Sequence, residues 1–106
     1  MTKPYRSYQD NLIDDLQEPE EASAYLNIAL EEGDHEAFLM ALKNVTMAQG
    51  GVTKVAKEAH LNRVSLQRML TGKGNPRLNN LSNVLHSLGL RLTISEASTK
   101  TPIING

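Results

Sequence analysis

The residues best suited to chemistry lie between Gly51 and Pro76, in GVTKVAKEAHLNRVSLQRMLTGKGNP. Asn62, Arg63, Val64, Gln67 and Arg68 recur at spacings that place them on the outer side of one helix. Such side chains match the base edges of duplex DNA. Arg pairs bidentately with guanine, Gln with adenine, and an apolar side chain meets the thymine methyl group. Arg63 and Arg68 are therefore the expected guanine readers, Gln67 an adenine reader and Val64 a methyl contact. Thr53, Lys54, Lys73 and Arg77 flank them and are expected to hold phosphates, which position a protein without reading sequence. For each lone Lys, a solvated surface charge is the competing reading. From Gly51 to Asn80 there are six cations (Lys54, Lys57, Arg63, Arg68, Lys73, Arg77) against one acid, Glu58.

Two short elements must position these groups. Val55, Ala56 and Ala59 share one helical face, with Lys54, Lys57 and Glu58 opposite. His60-Leu61-Asn62 breaks the pattern. Asn62 suits an N-cap, where its side-chain oxygen takes an orphan N–H of the next helix. That helix is predicted from Arg63 to about Leu70, with Leu66, Met69 and Leu70 as its apolar side. Gly72, Gly74 and Pro76 end it. Two short helices across a three-residue turn form a helix-turn-helix, here over about 52–70, with the second helix as the recognition helix. Ala56 is small enough for close approach of the helices, and Leu61 can plug the turn. An ordinary αα-hairpin in a bundle is the alternative, and the charge weighs against it.

The remaining chain reads as helices. Leu12, Ile13 and Leu16 have helical spacing within Ser7 to Gln17, and Met1 to Arg6 is expected to be disordered or loosely attached. Glu18-Pro19-Glu20-Glu21 starts a second helix. Its stripe is Ala22, Tyr25, Leu26, Ala29 and Leu30, and Gly33 closes it. Asp34 caps a third helix bearing Phe38, Ala41, Leu42, Val45 and Ala48, which ends at Gly50-Gly51. Leu78, Leu81, Val84, Leu85 and Leu88 mark a further helix, stopped by Gly89. Leu90, Leu92 and Ile94 then alternate with Arg91 and Thr93, the period of a short strand. A lone strand needs a partner. No second convincing strand exists in the chain, so the same strand of a second copy is the natural candidate. Leu90, Leu92 and Ile94 are the expected homodimer seam, against the alternative of an extended tail lying on the core. The expected organisation is an N-terminal segment over 1–17, a helical DNA-binding domain over 18–95, and a flexible tail over 96–106.

With 106 residues, 40% of them hydrophobic, the chain forms one domain with a modest core. The absence of Cys excludes disulfides, thiolate nucleophiles and Cys-bound metals. His35, His60 and His86 stand singly, without metal-ligand spacing. Gly72-Lys73-Gly74 lacks P-loop spacing, and no Ser/His/Asp constellation occurs. An enzyme, a metal and a cofactor are therefore not expected. There is no long apolar run and no signal-peptide core, so a cytoplasmic protein without membrane association is expected. The net charge of −1 conceals an asymmetry: residues 1–50 carry three cations and ten acids. An acidic half beside a basic one points to two partners of opposite charge, or simply to well-solvated acidic helices.

Leu61 to Leu92, LNRVSLQRMLTGKGNPRLNNLSNVLHSLGLRL, resembles the HigA-like addiction-module antidote proteins, relatives of phage Cro/repressor-type helix-turn-helix regulators. EPEEASAYLNIALEEGD and EAFLMALKNVTMAQGG are similar to that family's opening, so the likeness spans Glu18 to Leu92. Arg63, Gly74-Asn75-Pro76 and Leu88-Gly89-Leu90 are its most telling features. The implied fold is mainly α, with a Cro/repressor-like helix-turn-helix and a short C-terminal β-strand. The implied role is antitoxin of a type II toxin–antitoxin module. It would neutralise a RelE-like mRNA-cleaving toxin and, as a dimer, act as a transcriptional repressor of its own operon. By motif position Thr53, Asn62, Arg63, Val64, Gln67 and Arg68 would face DNA. The chain departs from the pattern at His60, where Gly usually makes the turn, and a left-handed conformation is then required of a non-Gly residue. Val64 and Gln67 also differ from the family pattern, which bears on operator specificity. A toxin that binds RNA phosphates needs a basic surface, so the acidic half is the complementary one. Leu12, Ile13, Leu16 and Tyr25 are the nearest apolar anchors, unless they simply complete the core. A stand-alone phage-type repressor, or an interaction module with a non-functional helix-turn-helix, are the competing readings.

Overall fold

The computed structural model describes residues 8–72 and 75–97. Six helices follow in order: α1 Tyr8–Asp15, α2 Pro19–Glu31, α3 His35–Ala48, α4 Val52–Glu58, α5 Arg63–Met69 and α6 Leu78–Ser87. Their starts follow from local chemistry. Pro19 occupies the first turn of α2, with Glu20 and Glu21 at the positive end of the helix dipole. Asp34 caps α3 by accepting the Ala37 N–H at 3.2 Å.

Three helices end in the same way. The N–H two residues past the C-cap returns to the carbonyl three residues inside the helix, satisfying groups the helix itself leaves orphaned. Gly51 donates to Thr46 O at 2.9 Å, Leu61 to Ala56 O at 2.9 Å and Leu90 to Leu85 O at 2.8 Å. This bond needs a left-handed residue just before it. At the end of α4 that residue is His60, with φ of 59°. The expectation from sequence is met at a position where most L-residues are strained.

The helices are arranged around α3 and α4. α1 and α2 pack on α3, α5 and α6 pack on α4, and α3 and α4 touch each other. Leu42, Val45, Val55, Leu66 and Val84 are fully buried. They belong to one cluster with Leu16, Leu26, Phe38, Leu39, Met69, Leu70, Leu85 and Leu88. Thr46 is buried among them, and its hydroxyl has no hydrogen-bond partner among the described residues.

Three expectations are corrected. The C-terminal strand of Leu90, Leu92 and Ile94 does not form, and no strand occurs among the described residues. The alternation is present in the sequence, but the chain supplies no second strand to complete a ladder. Leu78 is 72% exposed, because it sits at the first position of α6, before the helix reaches the bundle. Leu30 is also exposed, at the flank of the α2 stripe and not at its centre. The expectations for residues 1–7 and 98–106 lie outside the described residues.

Thr46→Val should stabilise the fold by about 1 kcal/mol, since an unpaired buried hydroxyl is replaced by a methyl of similar size. Urea unfolding measures this, and an unchanged or lower midpoint would mean that the hydroxyl has a partner. His60→Gly should raise stability by about 0.5–1 kcal/mol, the left-handed strain relieved less the entropy of an added glycine.

Candidate nucleic-acid interface

Asn62 starts α5 as its N-cap. Its Oδ1 accepts from Val64 N at 2.7 Å and from Ser65 N at 3.3 Å. Two orphan donors are thereby satisfied, and the first turn of a helix only seven residues long is secured. Leu66, Met69 and Leu70 point into the core. The 3.6-residue period then directs Arg63, Val64, Gln67 and Arg68 outward, and all four are exposed. Val64 is 58% exposed, an aliphatic side chain that packing does not require to be there.

Helix α4 supports this face from behind. Val55, Ala56 and Ala59 are buried against the core, and Leu61 packs against it from the turn. Thr53 and Lys54 point outward from α4. Lys54 Nζ lies 3.8 Å from Glu58 and donates to Gln49 O at 3.4 Å. It is thus partly engaged within the chain, although an exposed i,i+4 pair of this kind stabilises little. Arg77 is exposed at the N-cap of α6. Lys73 lies outside the described residues.

One contact was not foreseen from the sequence. Thr53 Oγ1 accepts a hydrogen bond from Arg63 Nε at 3.1 Å, across the turn between the helices. The two residues were expected at phosphate and base respectively. No spacing rule within a single helix relates positions ten apart, so only the packing of α5 on α4 reveals the pair.

The residues expected at other interfaces fall elsewhere. Leu16 is only 1% exposed and belongs to the core, so it is not presented to a partner while α1 is docked. Leu12 and Tyr25 are half-buried and pack on the same cluster, with Tyr25 Oη accepting from Asn44 Nδ2 at 2.8 Å. Ile13 is half-exposed. Leu90 packs partly against the core, whereas Leu92 is 41% exposed and Ile94 fully exposed. Leu90 and Leu92 line a groove of about 700 Å³ together with Leu26, Leu30, Phe38 and Leu85.

Residues 7–96 match the protein family described as "Probable addiction module antidote protein". The chain belongs to that family. A Haemophilus influenzae (strain Rd) protein, described only as uncharacterised, is similar to this chain. The two are 28% identical over 97 residues, which covers 92% of this chain and 97% of the relative. No solved structure matches. Antidotes of addiction modules are regulatory and not enzymatic, and the family implies a cognate toxin as partner. No helix among the described residues is long and apolar enough to cross a membrane.

Asn62→Ala should lower the stability of the protein by about 1 kcal/mol through loss of the cap, with Asn62→Asp restoring most of it. Arg68→Ala and Gln67→Ala should each change stability by less than about 0.5 kcal/mol, as expected of exposed positions. Thermal unfolding separates the two classes. A large loss for Gln67→Ala would show that α5 uses its outer face for folding.

Proposed function

We propose that this protein is the antitoxin of a type II toxin–antitoxin module of the HigA-like kind. It neutralises a RelE-like, mRNA-cleaving toxin in the cytoplasm and represses its own operon by binding operator DNA as a homodimer. The observation that carries the DNA reading is the outer face of α5 in an antidote-family chain. Arg63, Val64, Gln67 and Arg68 are exposed together there, and the core needs none of them. In this reading α4 and α5 are the helix-turn-helix and α5 enters the major groove. Arg63 and Arg68 read base edges, with Gln67 and Val64 beside them. Lys54, Lys73 and Arg77 lie at phosphates. Asn62 contributes mainly by capping.

The dimer seam is assigned to Leu90, Leu92 and Ile94, and the groove that Leu90 and Leu92 line gives a second copy surface to bury. The toxin is assigned to the acidic side formed by α1 and α2. Glu18, Glu20, Glu21, Glu31 and Glu32 are exposed there and suit a basic partner. Complementary charge speeds encounter and sets orientation, while apolar anchors hold the complex. Ile13, Leu12 and Tyr25 are the anchors available on that surface.

Co-expression with the product of the neighbouring gene, followed by co-purification, tests the antitoxin reading. Failure of that product to bind or to be neutralised would leave a stand-alone repressor. Arg68→Ala should weaken operator binding by roughly 1–3 kcal/mol while random duplex is bound nearly as before. Ile94→Asp should yield monomers on sedimentation and much weaker operator binding. A dimer that persists would exclude this seam. Ile13→Arg should weaken toxin binding and leave operator binding unchanged. The reverse pattern would move the toxin to another surface.

A further inference from the structure

Thr53 lies in the first turn of α4 and Arg63 opens α5. The hydrogen bond from Arg63 Nε to Thr53 Oγ1, at 3.1 Å, links two exposed side chains. Solvent competes with such a bond, so it adds little to stability. Its effect is on geometry. A guanidinium carries five N–H donors in a rigid planar fork. The Nε donor is taken by Thr53, and among the described residues no partner engages Nη1 or Nη2. The fork is thereby restricted to its terminal edge, and that edge fits O6 and N7 of guanine. A long side chain that orders only on binding loses rotamer freedom at that moment. Arg63 has part of that order before any DNA arrives.

We propose that Thr53 is a positioning residue for base reading. It holds Arg63 by Nε so that Nη1 and Nη2 meet one guanine, and it does not serve as a phosphate contact. This inference rests on the operator-binding reading above. It makes Thr53 a determinant of specificity although it touches no base. A phosphate contact at the same position would strengthen all DNA equally, since phosphates carry no sequence information.

The test uses the full-length chain in five forms: wild type, Thr53→Val, Thr53→Ser, Arg63→Ala and the double variant Thr53→Val with Arg63→Ala. Wild type is first used to select preferred duplexes from a randomised library. Each form is then titrated with the selected duplex, with copies changed at each guanine, and with random duplex over a salt series. Matched thermal unfolding confirms that all five fold alike. Arg63→Ala should lose roughly tenfold or more of the preference at one guanine. Thr53→Val should lose about two- to tenfold at that same guanine, the size of one side chain's ordering cost. It should leave random-duplex affinity unchanged. Thr53→Ser keeps the acceptor and should behave as wild type. The double variant should match Arg63→Ala alone.

Full guanine preference in Thr53→Val, beside a clear loss in Arg63→Ala, overturns the inference and leaves operator binding standing. Further loss on random duplex in the double variant, beyond that of Arg63→Ala alone, also overturns it and returns Thr53 to a phosphate. Absence of any preferred duplex for wild type overturns the operator reading, and the inference with it.

Discussion

The bond from Gly51 N–H to Thr46 O, at 2.9 Å, turns the chain out of α3 and into α4. The other four helices are hung on those two. The turn requires positive φ at both Gly50 (117°) and Gly51 (97°), where glycine alone is unstrained. Space is not the constraint: the atom nearest a Cβ at Gly50 would be Lys54 Cδ, in an exposed side chain that can move aside. Gln49, immediately before, gathers both sides of the molecule. Its side chain donates to Leu16 O and Gln17 O, fastening the end of α1, and its own carbonyl accepts from Lys54 on α4. The relative setting of the two halves is decided within three residues.

That setting also separates the charges. Asp14, Asp15, Glu20, Glu21 and Glu31 ride on α1 and α2, which pack against α3, and Lys54, Lys57, Arg63 and Arg68 ride on α4 and α5. Opposite charges within one small domain attract weakly through water and salt. Leu42, Val45, Val55, Leu66 and Val84 are fully buried in the one core that these helices share. The sorting has an exception: Glu36, on α3, lies against Gly72 just past α5.

Much of this was legible in the sequence because the signals were local. Asp34 and Asn62 are caps as their types and positions imply, and Gly33, Gly72 and Gly89 have positive φ at or just beyond helix ends. The demand placed on His60 followed from the resemblance, which puts Gly at that point of the turn. What escaped depended on distant packing. Leu16 has the spacing of a surface anchor and a core residue alike, and only the docking of α1 on α3 decides between them. The Leu90 to Ile94 alternation describes a surface that suits a sheet, but a sheet needs a second strand. The Thr53–Arg63 bond joins residues on different helices, beyond the reach of any single period.

Helices α4 and α5 are seven residues each. Isolated helices of that length do not persist in water, where about 12–15 residues are needed for even marginal order. Their shape is borrowed from the core beneath. The outer face of α5 consequently exists only while the helix is docked on that core. Whatever loosens the docking of α5 removes the whole face with it, because the helix has no order of its own to fall back on.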